Sequence, residues 1–262
     1  MEVTKILNEY YGSYDEDNRL RSRHGSVEFL TTMRYAEKYL QPSMRVLEIG
    51  AATGRYSHTL ARRGYRVDAV ELVQHNIDIF KANTQPDEDI RIFRGNAKNL
   101  SMLGDDTYDV TLLLGPMYHL FTVPEQLEAL SEAIRVTKKG GVVFAAYCGN
   151  EATMVQYCFG RGMIKEQRYR DLIDPVTFKA SSDPAELFQL YRKEDIDKLM
   201  SVFPVTRLHY VGTDMATNYM RQTIDEMDDE LFDMYLRYHF SICERSDLVG
   251  ASHHILDIFR KD

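Results

Sequence analysis

Between residues 44 and 149, short apolar runs alternate with stretches whose apolar residues recur at helical spacing. The run MRVLEIG is entered after Pro42 and stopped by Gly50. RYSHTLARRG then has the spacing of a helix and ends at Gly64, YRVDAVEL reads as a strand, and VQHNIDIFKANT as a helix broken by Pro86. IRIFRGNA, YDVTLLLGP and GGVVFAAYC are further strand candidates. The helix expected between the last two, PEQLEALSEAIRVTKKG, has Pro124 in its first turn and Gly140 at its end. Strands that are apolar on both faces and alternate with helices predict parallel crossovers inside a covered sheet. The expected architecture is a Rossmann-like, doubly wound α/β sheet.

After Cys148 the rhythm changes. EATMVQYCFGRGMIKEQR has helical spacing, residues 171–189 look irregular, and RKEDIDKLMSVF is helical again. PVTRLHYVGTD reads as a strand, residues 215–246 as helical, and SHHILDIFRKD alternates as an antiparallel strand does. The pattern predicts seven strands, mostly parallel, with the last antiparallel. Residues 1–43 are expected as an N-terminal helical lid and 44–149 as the ligand-binding core. Residues 150–262 would complete the sheet and supply a helical cap from about 150–190 and 215–246.

Charge narrows the partners. The net charge is −8, and residues 150–262 carry 14 Lys and Arg against 20 Asp and Glu. Without a basic run there is no electrostatic footprint for a phosphate backbone, so nucleic acid is not an expected partner. Cys148, Cys158 and Cys243 form no CxxC pair and read as free thiols of a reducing compartment. The first residues carry acids where a signal peptide needs an apolar stretch, and no apolar run approaches the ~20 residues of a membrane span. A cytoplasmic monomer or homodimer acting on a small molecule, away from membranes, is the expectation.

The candidate chemistry begins at LEIGAATGRY, residues 47–56. In open α/β sheets, ligands bind beyond the carboxyl ends of the strands. A dinucleotide turn reads G-x-G-x-x-G, but Gly50, Ala52 and Arg55 stand at those positions. Glu48 lies two residues before Gly50, where a pyrophosphate would be repelled and an ammonium group attracted. Glu71 ends the second strand, 21 residues after Gly50, placed to accept both hydroxyls of an unphosphorylated ribose. Asn96 and Ala97 tip the third strand, where an amide can read an adenine edge. The fourth strand ends in LLLGPMYHL, which brings Leu114, Gly115, Tyr118 and His119 to the same edge.

These residues resemble the class I S-adenosylmethionine-dependent methyltransferases over about residues 44–149. VLEIGAATG is similar to that family's first motif (Glu48, Gly50, Ala51, Ala52, Gly54), Glu71 with Leu72 to its ribose acid, and Asn96–Ala97 to its adenine edge. The GPMYHL stretch is similar to bacterial small-molecule members. Ala52 stands where glycine is common, and Asn96 where aspartate is. The resemblance implies S-adenosyl-L-methionine as cofactor and in-line methyl transfer to an oxygen or nitrogen of a small molecule. The alternative is a non-catalytic binder of the same nucleoside. Aminopropyl transfer ranks lower, because the loop after strand four offers no acids. His119 and Tyr118 are the candidate catalytic residues, by proton removal or by shaping the pocket. Family members often carry an N-terminal lid, and here Tyr11, Tyr14 and Arg23 would close over the cofactor, with arginine gripping its carboxylate. His253 and His254, read as strand neighbours on opposite faces, argue against a metal site.

Overall fold

The computed structural model describes residues 3–13, 19–186 and 188–262, so Tyr14 lies outside the described residues. The central sheet has the order β3-β2-β1-β4-β5-β8-β7. Its strands are β1 (Arg45–Ile49), β2 (Arg66–Glu71), β3 (Ile90–Arg94), β4 (Tyr108–Leu113), β5 (Thr137–Gly149), β7 (Val205–Gly212) and β8 (His254–Lys261). The first five run parallel, and β8 is antiparallel to both β5 and β7. An eighth, two-residue strand, β6 (Leu190–Tyr191), pairs with the end of β5. It was not legible in the sequence, because two residues carry no periodicity.

Period-two alternation sends successive apolar side chains to opposite faces, and both faces are covered. Val46, Val110, Leu112, Phe144 and Ile258 pack under α2 (Arg23–Glu37) and α3 (Arg55–Arg62). Leu47, Ile49, Leu113, Val143 and Phe259 pack under α5 (Val123–Val136) and α8 (Lys193–Met200). Between β2 and β3, α4 (Gln74–Asn83) buries Phe80 against Ala51 and Ala69.

Several elements differ from the expectation. The lid divides in two. Helix α1 (Val3–Ser13) rests Leu7 on Leu72, Val73 and Phe188, over the end of β2. Helix α2 instead buries Val27, Phe29, Met33 and Ala36 against the sheet, because its apolar stripe is as wide as that of a core helix. The helix after β4 stops at Val136: Thr137 is fully buried, pairs with Tyr108 across the sheet, and shares a hydrogen bond of 2.6 Å with the Thr111 hydroxyl. The helix expected from residue 151 is a short α6 (Asn150–Thr153) that widens into a π-turn over Met154–Phe159. Gly162, at φ +72°, then turns the chain into α7 (Gln167–Arg170).

The second cap segment also divides. Near its start, α9 (Arg221–Asp225) follows a tight helical turn over Met215–Met220. Helix α10 (Asp229–Ile242) is capped by the Asp228 carboxylate on Leu231 N at 2.8 Å and lies outside α2. There Thr31 Oγ1 meets His239 Nε2 at 2.9 Å and Tyr35 OH meets Cys243 Sγ at 3.4 Å. All three cysteines are buried free thiols. Among the described residues, no helix is long and apolar enough to cross a membrane.

Candidate active site

The carboxyl ends of β1, β2, β3 and β4 open into one cavity of about 1080 Å³. At its floor, β1 leaves the sheet through Gly50, at φ +81°. A Cβ there would meet Pro116 Cδ at 2.5 Å and the Leu114 carbonyl at 2.6 Å, so only glycine lets the segment after β4 cross this turn. Ala52 also takes a positive φ, +47°, and Gly54, at +92°, opens α3.

Glu48 is 2% exposed, and its Oε2 accepts from the Ser57 amide at 2.9 Å and from the Ser57 hydroxyl. One oxygen thus satisfies a first-turn amide of α3, and Oε1 has no hydrogen bond among the described residues. Burial pushes this carboxyl up to about 8, against the pull of the Ser57 bonds and helped by the nearby Glu71 charge. The folded chain therefore holds a proton there that the unfolded chain releases, and stability falls as pH rises from about 4.5 to about 8. Glu48→Gln keeps an acceptor for Ser57 and removes the titration. Its thermal midpoint is expected to exceed that of the parent by several degrees at pH 9, with the gap closing by pH 5. A gap that does not change with pH would show that Glu48 is not the titrating group.

Glu71 is fixed from both sides: Oε2 accepts from Ala52 N at 2.9 Å and Oε1 from Val73 N at 2.8 Å. Burial raises its carboxyl pKa although these amides pull it down. Oε1 also takes the Asn76 side-chain amide at 3.5 Å, whereas Oε2 keeps a second lone pair, so the carboxylate presents a pre-oriented edge to the cavity. Leu72, Ala51, Ala97, Leu114 and Gly115 line the same space. Asn96 lines it too, but its Oδ1 accepts from Lys98 N at 3.0 Å. That side-chain oxygen closes a turn, the local bond asparagine often makes, so the acceptor expected for an adenine amine is engaged.

The N-terminal residues part company. Tyr11 reaches the cavity and its hydroxyl lies 3.0 Å from His119 Nε2. Arg23 does not reach it: its guanidinium pairs with Asp229 at 2.7 Å and lies over the Phe232 ring, because α2 is tied to α10. Arg19 takes the place on the cavity wall, bonded to Glu28 at 2.8 and 3.3 Å.

The same cavity also takes in Tyr118, His119, Met154, Tyr157, Ile173 and His254, and the part these residues wall is termed the second chamber. Burial pushes the Tyr118 phenol well above its ordinary value, so it can donate a hydrogen bond but not act as a phenolate at neutral pH. His253 and His254 do not diverge. His253 precedes the first residue of β8, so strand alternation does not govern it, and the two rings pack edge to face at 4.7 Å on the cavity wall.

With Asp214 these histidines bring three possible metal-ligand atoms within 4.8 Å of one another. The Asp214 oxygens, however, already accept from Ser252 Oγ at 2.7 Å, His253 N at 3.0 Å, His254 N at 3.1 Å, His254 Nδ1 at 2.7 Å and the Asn218 amide. A carboxylate saturated by donors serves as an anchor for the turn into β8. Glu28 Oε2 stands 3.2 Å from His254 Nδ1, and the two carboxylates hold the imidazole well above its ordinary pKa, overcoming burial.

The donor set suits S-adenosylmethionine. A bare-backbone turn and an oriented carboxylate on β2 suit a nucleoside with free ribose hydroxyls, and the buried Glu48 carboxyl beside the turn, protonated up to about pH 8, offers it a neutral polar group. Sheet order, antiparallel β8 and this turn are those of the class I S-adenosylmethionine-dependent methyltransferase fold. Comparison with known proteins agrees: a family model for a methyltransferase domain matches residues 46–141.

Over residues 46–141 the chain carries a methyltransferase domain, and its cofactor is S-adenosylmethionine. It is 21% identical to a ubiquinone biosynthesis O-methyltransferase of Hahella chejuensis, over 87% of this chain and 95% of the relative. It is 31% identical to a demethylmenaquinone methyltransferase of Lysinibacillus sphaericus, over 54% of this chain and 59% of the relative. A solved S-adenosylmethionine-dependent methyltransferase of Thermotoga maritima shares the fold across the full length of both chains, at a TM-score of 0.59 and 17% identity.

Proposed function

We propose that the chain transfers a methyl group to an oxygen or nitrogen of a small molecule seated in the second chamber. One observation carries this reading. The cavity, about 1080 Å³, runs without interruption from the Gly50–Gly54 turn to His254 and exceeds the ~300–1,000 Å³ of a one-ligand site. A protein that only binds the nucleoside needs no second chamber. The ubiquinone and menaquinone relatives support a small, partly apolar acceptor.

In this reading Glu71 and Leu72 hold the ribose, and Asn96 and Ala97 border the base. Glu48, Gly50, Ala51 and Ala52 take the amino-acid part, with Gly54 off the cavity lining and turned toward Phe80 and His58, while Leu114 and Gly115 close the floor and Tyr11 covers it. The cofactor supplies an activated methyl group, so the protein has to align the acceptor and exclude water. Tyr118 and His119 border the point where the two chambers meet. The pair His119 Nε2 and Tyr11 OH joins the wall to α1, which favours shaping over proton removal.

His119→Asn is therefore expected to raise KM several-fold with a modest change in kcat. A loss of about 10²–10⁴-fold in kcat that recovers with rising pH would instead assign His119 as general base. The function itself is tested by incubating the chain with methyl-labelled S-adenosylmethionine and pooled small metabolites. Label is expected in a small-molecule product, with one S-adenosylhomocysteine formed per methyl; label recovered only in macromolecules would overturn the reading.

A further inference from the structure

On the cavity wall, Arg221 is a cation paired with no carboxylate among the described residues. Its Nε donates to Asn218 Oδ1 at 2.7 Å and an Nη to the Tyr157 hydroxyl at 3.3 Å, both neutral partners. No carboxylate pairs with it among the described residues, whereas the neighbouring Arg19 is bonded bidentately to Glu28. Arg221 is half-buried and on the cavity wall, and two polar neighbours fix its fork in place. A guanidinium oriented by neutral groups inside a cavity is arranged for an anion that arrives with a ligand.

A second observation lies beside it. His253 Nδ1 is buried without a hydrogen-bond partner, on a ring that burial and the charge of His254 push down to about 4. This neutral imidazole leaves one polar atom unsatisfied next to Arg221, which a bound polar group would complete. Counting the charged groups at this end, Arg19, His254 and Arg221 face Glu28 and Asp214, a surplus of one positive charge. One surplus charge matches a carboxylate better than a phosphate dianion. Met154, Cys158, Met163, Leu172 and Ile173, with Tyr157, give the same cavity a largely apolar wall.

We infer that the methyl acceptor is a small aromatic or apolar carboxylic acid whose carboxylate is held by Arg221, its apolar body on the wall and its nucleophile toward Tyr118 and His119. This rests on the second chamber being the acceptor site. The relatives named for quinone pathways suggest a neutral acceptor, so the inference separates this chain from them.

The test is calorimetry on the full chain saturated with S-adenosylhomocysteine, using benzoate, phenylacetate and cinnamate, each against its amide, with phenyl phosphate as a further arm. At least one acid is expected to bind about 10- to 100-fold tighter than its amide, the range of one charged hydrogen bond. Arg221→Gln should abolish that preference while S-adenosylhomocysteine affinity stays unchanged, and Arg221→Lys should restore part of it. Acids and amides that bind alike, or fail alike, overturn the inference, as does a preference that survives in Arg221→Gln. Tighter binding of phenyl phosphate than of every acid overturns the carboxylate assignment. Failure of S-adenosylhomocysteine to bind the parent chain is a different result: it removes the cofactor reading, and this inference with it.

Discussion

Replacing Glu71 with alanine is expected to weaken S-adenosylhomocysteine binding by about 10- to 100-fold, the ~1.5–3 kcal/mol of a lost charged hydrogen bond. The expectation rests on what the carboxylate does before any ligand arrives. Its two oxygens hold the Ala52 and Val73 amides at 2.9 and 2.8 Å, one on the turn after β1 and the other at the start of α4. The side chain therefore orients two segments of the floor and keeps a lone pair of Oε2 for the proposed ribose contact. Glu71→Gln keeps one acceptor oxygen and should fall between the parent and the alanine variant. Calorimetry with a thermal scan of each protein separates the effects, since a turn that merely loosens lowers the midpoint without a matching loss of affinity. Unchanged affinity in Glu71→Ala would end the ribose assignment.

Asp214→Ala should have the largest effect on stability, a loss of about 3–5 kcal/mol, as when one partner of a buried ion pair is removed. For a chain of this length that lowers the midpoint by roughly 6–20 °C. Asp214 is 3% exposed and collects donors from Ser252, the backbone of His253 and His254, the His254 ring and Asn218. Without it those donors are unsatisfied, and His254 keeps only Glu28 as a counter-charge.

The neighbouring imidazoles, led by His254, hold the Asp214 carboxyl well below the usual carboxylate range, overcoming burial. A depressed folded pKa contributes stability that is complete above the unfolded value and lost as pH falls through the folded one. The gap between parent and variant should thus be largest from about pH 5 to 6.5, narrowing in strong acid, below about pH 4, as Asp214 takes a proton, and narrowing again above neutrality as the raised His254 loses its own. Denaturant titrations at three pH values measure it, and a loss under ~1 kcal/mol at neutral pH would show that the network is not holding the turn.

The core of the fold was readable because parallel strands covered on both faces carry a strong signal. MRVLEIG, YRVDAVEL and GGVVFAAYC are apolar runs that exist only where helices cover a sheet twice. Gly50, Glu71, Asn96 and Tyr118 come to one edge because they end successive strands of that sheet, which topology alone dictates. What stayed hidden depends on contacts between distant segments. Arg23 and Arg19 look alike in sequence, and only the docking of α2 against α10 sends one outward and leaves the other on the cavity.

The histidines show a different failure. A last strand that runs antiparallel begins at the edge where its neighbours end, so His254 and the Asp214 that follows β7 belong at the cavity. That inference was available from the predicted sheet. Strand alternation does not reach His253, which precedes β8. The roles of Glu28 and Arg221 could not be read, since nothing local distinguishes a helical acid or arginine facing a cavity from one facing water.

A crystal structure of the chain with S-adenosylhomocysteine tests the central claim most directly, because it locates both chambers at once. The account predicts the ribose hydroxyls on Glu71, the amino-acid part over Gly50–Gly54, and the sulphur opening toward the chamber bounded by Tyr118, Tyr157 and His254. A sulphur sealed against protein with no path to that chamber, or a nucleoside bound elsewhere, would contradict it.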